Sequence, residues 1–274
     1  MSFLRAFFAR PQTIAGFCIF FAIAVLALAA PLLFPRGPFT IMGMPLLPPG
    51  APGFAAGSDV LGRDMVAELA YGARISLLVG IASTIFSIGI GGVLGAVAGY
   101  YGGVIDDVLM RVTEFFQIIP SFVLVMVLVA FLQPSLGSTV IGIALITWPQ
   151  VARVVRGEFL ALRQREFVAA ARTLGLGDGR IIFGEILPNA LAPIIVVATM
   201  MVGSAILTES ALSFLGLGDP NLMSWGSMIG GSRSAMWVAW WTMVLPGLCI
   251  MVTVLALNFI GDGLNEALNP RRGR

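Results

Sequence analysis

The chain contains no lysine and no histidine, so all 16 of its basic residues are arginine. These two absences exclude much chemistry. A nucleotide-hydrolysing phosphate loop needs its lysine to reach the phosphates, and this chain therefore carries no standard ATPase site. Without histidine there is no HExxH zinc site and no Ser-His-Asp relay. Cysteine is nearly absent too. Cys18 and Cys249 fall in separate apolar runs, where lone thiols are expected as small core residues that report nothing about redox compartment. Only 11% of residues are charged, and 16 arginines against 14 acids leave a formal net charge of +2. The arginines are not gathered into one stripe, which argues against nucleic acid as a partner.

What remains is apolar. At 58% hydrophobic residues and a mean hydropathy of +0.97, a chain of 274 residues is too greasy for a soluble globule and reads as an integral membrane protein. The apolar runs predict an all-α polytopic bundle that fills 1–274 as a single domain. Six spans are expected, at about 13–34, 74–100, 108–132, 136–155, 189–217 and 237–260. Arg5 and Arg10 precede the first run. Ala27-Leu28-Ala29 resembles a signal-peptide cleavage site, but the run is long for a signal peptide and an uncleaved anchor is expected. Residues 35–71 are rich in proline and glycine and predict an irregular outer loop. With both termini inside, only Arg36, Arg63, Arg74 and Arg233 lie outside. All other arginines lie inside, as the positive-inside rule expects, and the polar loop at 156–188 is then cytoplasmic.

Polar residues within this apolar frame are the candidates for function. Asp59, Arg63, Asp64 and Glu68 form either an ion-paired turn capping the bundle or a substrate contact. Gly91, Gly95 and Gly99 recur every four residues and allow close helix packing, as a static seam or as a sliding surface. Glu114 must face the bundle interior, an inner vestibule or an arginine, and Pro120 is expected to kink its span. Glu209 belongs either to an outer gate or substrate passage, or to a cap on Ser210 or Ser213. Trp237, Trp240 and Trp241 suit an interfacial belt, whereas Trp225 suits a loop facing a soluble partner.

The organising stretch runs from Arg163 to Pro188, RQREFVAAARTLGLGDGRIIFGEILP. Phe167, Ala170, Ala171 and Leu174 fall at i, i+3, i+4 and i+7, so they share one helical face. Gly175, Gly177 and Gly179 interrupt that helix, and a second short one is expected from Asp178 to the Leu187-Pro188 stop. Two readings follow. The stretch is a docking knob, flanked by Arg163, Glu166 and Arg172 as polar clamps, or it is an amphipathic loop on anionic lipid.

The same stretch resembles the signature EAA loop of bacterial ABC-importer permeases. Ala170-Ala171, Gly175 and Leu187-Pro188 match that pattern. Ala169 stands where the pattern has glutamate, and Glu185 where it has isoleucine or, in many peptide permeases, histidine. Arg165 to Val168, R-E-F-V, is similar to the peptide-permease version. GSDVLGRDMVAELAYGARISL (Gly57 to Leu77), ESALSFLGLG (Glu209 to Gly218), SWGSMI and FIGDGLNEALNPR resemble the C-subunit type of the dipeptide, oligopeptide and nickel permeases.

The resemblance implies a multi-pass subunit of the bacterial inner membrane with no cofactor of its own, ATP and magnesium being held by partners. Those partners would be a homologous second permease subunit, two ATP-binding subunits and an extracytoplasmic substrate-binding protein. The coupling residues implied are Arg163, Glu166, Phe167, Ala170, Ala171, Arg172, Leu174, Gly175, Leu187 and Pro188. Cargo would be di- or oligopeptides, with nickel chelates, glutathione or opines as the alternatives within the family. A secondary transporter would need charged groups at mid-membrane, but Glu114 and Glu209 are expected near opposite faces. A membrane-embedded enzyme would have to use Asp59, Asp64 and Glu68, which lack a regular helical context.

Overall fold

The computed structural model describes residues 7–8 and 10–268 of the chain. Arg5, Arg271, Arg272 and Arg274, all expected on the inner side, lie outside the described residues. The regular elements of the described chain are all helices, and its only β pairing is three isolated bridges in the irregular loop before the second helix. Among the described residues five helices are long and apolar enough to cross a membrane, or six if one bent pair of helices is counted as a single span.

Helix α1, Pro11–Leu33, begins with a proline in its first turn, where the missing N–H costs nothing. It leans on the last helix through Gly16, where an added Cβ would sit 2.8 Å from the Ala256 carbonyl. Most of its surface is bare. Cys18, expected as a core residue, is exposed on it, while Cys249 is half-buried. A thiol on a lipid-facing surface needs no packing partner, so the residue type alone did not settle its side.

Helix α2, Met65–Tyr101, starts well before the expected Arg74 because the Asp64 carboxylate accepts from the Val66 N–H at 3.0 Å and caps it. Glu68 therefore lies on the helix and is buried. Asp59 accepts from the Leu61 and Arg63 N–H groups at 2.9 and 2.7 Å. Arg63 spans Asp59 and Glu68 at 3.9 and 3.8 Å, so these charges form a self-contained turn.

The expected third span is two helices, α3 (Gly103–Ile118) and α4 (Ser121–Leu132), set at 84°. Pro120 forces Ile119 out of the helical region, to ψ 132°, and the chain breaks there outright. Helix α5, Leu136–Leu162, opens on a Ser135–Ser138 capping box. It runs past Val155, so Arg153 and Arg156 ride on it and the polar loop starts only at Arg163. Helix α6, Glu166–Thr173, is the short helix of that loop.

The second loop helix does begin at Asp178, but it does not stop at Leu187-Pro188. It continues as α7, Asp178–Phe214, through a π-helical turn at Ile181–Ile186. The widened turn accommodates a proline with no N–H to give. Helix α8, Trp225–Gly231, and a 3₁₀ turn at Arg233–Ala235 lead to α9, Trp241–Leu268.

The bundle is organised on α2, which packs along α5, α7 and α1. Against α5 it presents Gly91, Gly95 and Gly99. A Cβ on Gly91 would lie 2.5 Å from the Trp148 carbonyl, and one on Gly99 would lie 2.7 Å from that of Arg156. Backbone therefore meets backbone along the whole seam, which explains the four-residue spacing. Trp241, expected in an interfacial belt, is instead buried and donates its Nε1–H to the Ser58 carbonyl at 3.1 Å. Trp237 and Trp240 are exposed as a belt requires.

Candidate functional site: the polar elbow and the buried carboxylate

The stretch from Arg163 to Asp178 folds as an elbow between α5 and α7. Helix α6 ends at Gly175 in the left-handed region, φ +77°. There the Leu176 N–H reaches the Ala171 carbonyl at 3.1 Å and the Gly175 N–H that of Arg172 at 2.9 Å. This is a Schellman stop, and it explains why a glycine stands at that position. Val168 and Ala171 are buried with Phe159 of α5 and Ile181, Ile182 and Ile186 of α7. Phe167, Ala170 and Leu174 point outward, Leu174 with 80% of its surface exposed.

The expected apolar stripe is thus divided. Ala171 belongs to the anchoring face with Val168, and only Phe167, Ala170 and Leu174 form the projecting surface. Helical spacing groups all four within one arc, and only packing reveals where the arc is cut. Glu166 is exposed in the first turn of α6. Leu187 is half-buried against the elbow core and Pro188 is exposed in the next turn, so neither lies on the projecting surface.

The flanking arginines work within the chain. The Arg163 guanidinium donates through Nη1 to the Gly99 and Tyr100 carbonyls, both at 3.1 Å, and so occupies the carboxyl end of α2. Arg172 stacks over the Tyr100 ring at 5.4 Å from its centroid. The Tyr100 hydroxyl donates to the Asp178 carboxylate at 2.7 Å. Arg163 and Arg172, expected as clamps for a partner, thus bind the elbow to α2. Tyr100 was missed by sequence reasoning. The available signal was an aromatic hydroxyl, Tyr100-Tyr101, at the polar end of an apolar run.

Glu209 is the most buried acid of the described residues, at 2% exposure. Its carboxylate accepts from the hydroxyls of Ser213 at 2.7 Å, Ser76 of α2 at 3.2 Å and Ser210 at 3.4 Å. The expectation of a serine partner holds for both named serines, and Ser76 adds a link across the bundle. That link continues to the next element. The Trp225 N–H donates to Ser76 Oγ at 3.4 Å, its indole N–H donates to the Leu69 carbonyl at 3.1 Å, and its ring lies on the bare backbone of Gly72. Trp225, expected to order a loop facing a partner, is instead a buried rivet between α8 and α2.

Glu114 is exposed on α3 and lines a cleft of about 450 Å³ with Asp107, Arg111, Arg153 and Arg156. Arg156 is engaged in a two-pronged pair with Asp106, Nε to Oδ1 at 2.5 Å and Nη2 to Oδ2 at 2.6 Å, which ties α3 to α5. Glu114 thus faces arginines across an open vestibule, whereas Glu209 is closed in. Among the described residues no group of three or more His, Cys, Asp or Glu side chains is placed to hold a metal ion.

An all-helical, multi-pass membrane subunit with a projecting apolar elbow is the class that these features define. Residues 91–274 match the family described as binding-protein-dependent transport system inner membrane component, and the chain belongs to that family of ABC-importer permease subunits. It is 46% identical over 216 residues, 78% of this chain and 71% of the relative, to the dipeptide transport system permease protein DppC of Alkalihalophilus pseudofirmus. It is 38% identical to the di/tripeptide transport system permease protein DppC of Pseudomonas aeruginosa, over 98% of this chain and 91% of that one. The glutathione transport system permease protein GsiD of Pectobacterium atrosepticum is 40% identical over 78% of this chain and 72% of its own. Among solved structures, the MetNI methionine ABC transporter in inward-facing form aligns with TM-score 0.60 at 18% identity. It covers 74% of this chain and 96% of its own and supports the fold.

Proposed function

We propose that this chain is the C-type permease subunit of a peptide importer in a bacterial inner membrane, with both termini and the elbow in the cytoplasm. Its partners would be a homologous second permease subunit, two ATP-hydrolysing subunits that hold ATP and magnesium, and an extracytoplasmic peptide-binding protein. Di- and tripeptides are the favoured cargo, because the two relatives matched at 46% and 38% identity are peptide permeases.

One observation carries the mechanism. The elbow is anchored by Val168 and Ala171 while Phe167, Ala170 and Leu174 project with nothing among the described residues to cover them. A surface of this shape, on a chain without lysine, needs a partner that supplies the nucleotide chemistry. Closure of the ATPase pair would displace the elbow, and the displacement would tilt α2, α5 and α7 to open the passage to one side and then the other. Transport is coupled only if the elbow binds differently in the two motor states, since equal binding shifts no equilibrium.

The test is co-purification with the ATPase subunits and uptake of radiolabelled dialanine in reconstituted vesicles. The wild-type complex should take up dialanine only with ATP and the binding protein. Ala170→Arg places a charge on the projecting surface and should insert normally yet lose ATPase co-purification and uptake. Unimpaired uptake by Ala170→Arg, or wild-type uptake without ATP, rejects the reading.

A further inference from the structure

Projecting side chains explain how a motor grips the elbow but not which helix receives the push. Three contacts single out α2. Arg163 donates to its last carbonyls at Gly99 and Tyr100, Arg172 stacks on the Tyr100 ring, and Tyr100 donates to Asp178 at the start of α7. The elbow is therefore stapled to the end of α2 at its entry, its middle and its exit. The same helix, about two dozen residues away in sequence, carries Ser76, which joins Glu209 of α7 to the Trp225 N–H of α8.

A helix of 37 residues rises about 1.5 Å per residue, so α2 is a rod of roughly 55 Å, longer than the hydrocarbon layer, with one polar joint at its carboxyl end and another about a third of the way along it. Its glycine seam holds the Gly91–Gly99 stretch against α5, and Gly80 sits as closely on α7. The two joints differ in kind. At the elbow end the bonds are charge-assisted and reach a short helix held by one apolar face. At the other joint they are buried and lead to α8, a seven-residue helix held by the Trp225 rivet.

We propose that Tyr100 is the positioning residue that passes elbow displacement into α2, and that Ser76 delivers it to the Trp225–Gly231 segment toward the opposite end of the same helix. This rests on the permease reading above and adds to it a direction of transmission. Occupancy at the α8 end and motor closure at the elbow end then bias one rod, and by linkage each affects the other by the same factor. Spatial continuity alone does not establish such a line, and energetic coupling between its two joints has to be measured.

The experiment uses the assembled complex in vesicles, with dialanine-loaded binding protein as the stimulus. Tyr100→Phe removes only the hydroxyl bond to Asp178 and keeps the ring beneath Arg172. Ser76→Ala removes the far joint. The readout is the ratio of stimulated to basal ATP hydrolysis per assembled complex, recorded alongside complex yield and thermal midpoint. Tyr100→Phe should lower that ratio about fivefold or more with yield and midpoint unchanged, fivefold being the low end of ordinary coupling between sites. Tyr100→Phe combined with Ser76→Ala should be no worse than the poorer single variant, because both cut one line.

Should Tyr100→Phe fail to accumulate, Asp178→Asn, which retains an acceptor, and Asp178→Ala, which does not, probe the same bond. The ratio should survive in the first and fall in the second. A wild-type ratio in Tyr100→Phe or Asp178→Ala overturns the proposal, as does a loss confined to complex yield or a strictly multiplicative double variant. These outcomes are separate from failure of the permease reading, which would show as absent dialanine uptake by the wild-type complex.

Discussion

Glu209 illustrates how a carboxylate survives inside an apolar bundle. Three serine hydroxyls donate to its oxygens, so the buried carboxylate and the hydroxyls satisfy one another. Removing the acceptor is therefore costlier than changing its charge. Glu209→Ala should destabilise the detergent-solubilised protein by about 1–3 kcal/mol, the penalty for buried donors left without an acceptor. Glu209→Gln, which keeps an oxygen acceptor, should lose less and should retain uptake. A thermal-shift comparison decides the order. If Glu209→Gln inserts and folds normally yet abolishes uptake, the carboxylate has a passage role that its serine cage does not express. Of the two roles that the sequence leaves open for Glu209, the structure supports the serine-bonded one, and the third serine is Ser76, too distant in sequence for spacing to reveal. Trp225 and Trp241 were illegible for the same reason. Their indole N–H groups find Leu69 and Ser58 across the fold, and no local pattern distinguishes such a tryptophan from one in an interfacial belt.

At the scale of elements, the glycine ladder of α2 was legible as spacing, but its partner was not. The facing ridge on α5, Trp148, Ala152 and Arg156, contributes carbonyls rather than a recognisable motif. Gly95→Leu should drive α2 and α5 apart at a cost of about 1–3 kcal/mol and yield less monodisperse protein. Gly92→Leu, on the same helix where nothing lies within 4 Å, should behave as wild type. Size-exclusion profiles of the two variants provide the check, and equal profiles would show that the seam is not close-packed. Helix ends were the least legible features. Asp64 extends α2 backwards through a cap that no feature of its loop sequence singles out, and α7 runs through Pro188 by way of a π turn that sequence does not announce. The break at Pro120 was legible because proline constrains its neighbour locally, although the structure turns an expected kink into a separation of 84°.

For the whole molecule, the composition made the membrane bundle plain, while the orientation rests on the arginine asymmetry. Leu174 is exposed at the tip of the elbow, so it reports which side the elbow occupies. In a background of Cys18→Ser and Cys249→Ser, Leu174→Cys should react with a membrane-impermeant maleimide in inside-out vesicles and resist it in intact spheroplasts. The reverse pattern would place the elbow on the outer side and remove its access to any ATPase. The cargo is the least legible property. The polar cleft beside Glu114 presents both signs of charge to its vestibule, a composition compatible with many zwitterions and specific to none.

The seam between α2 and α5 also limits how the molecule can work. Carbonyl ridges seated against bare glycine backbone resist slippage along their length, because each step would first lift one helix out of the other's notches. The pair must then travel as a single beam. Shape change is left to the joints where hydrogen bonding is already interrupted, among them the corner at Ile119-Pro120 in the connection between the two paired helices.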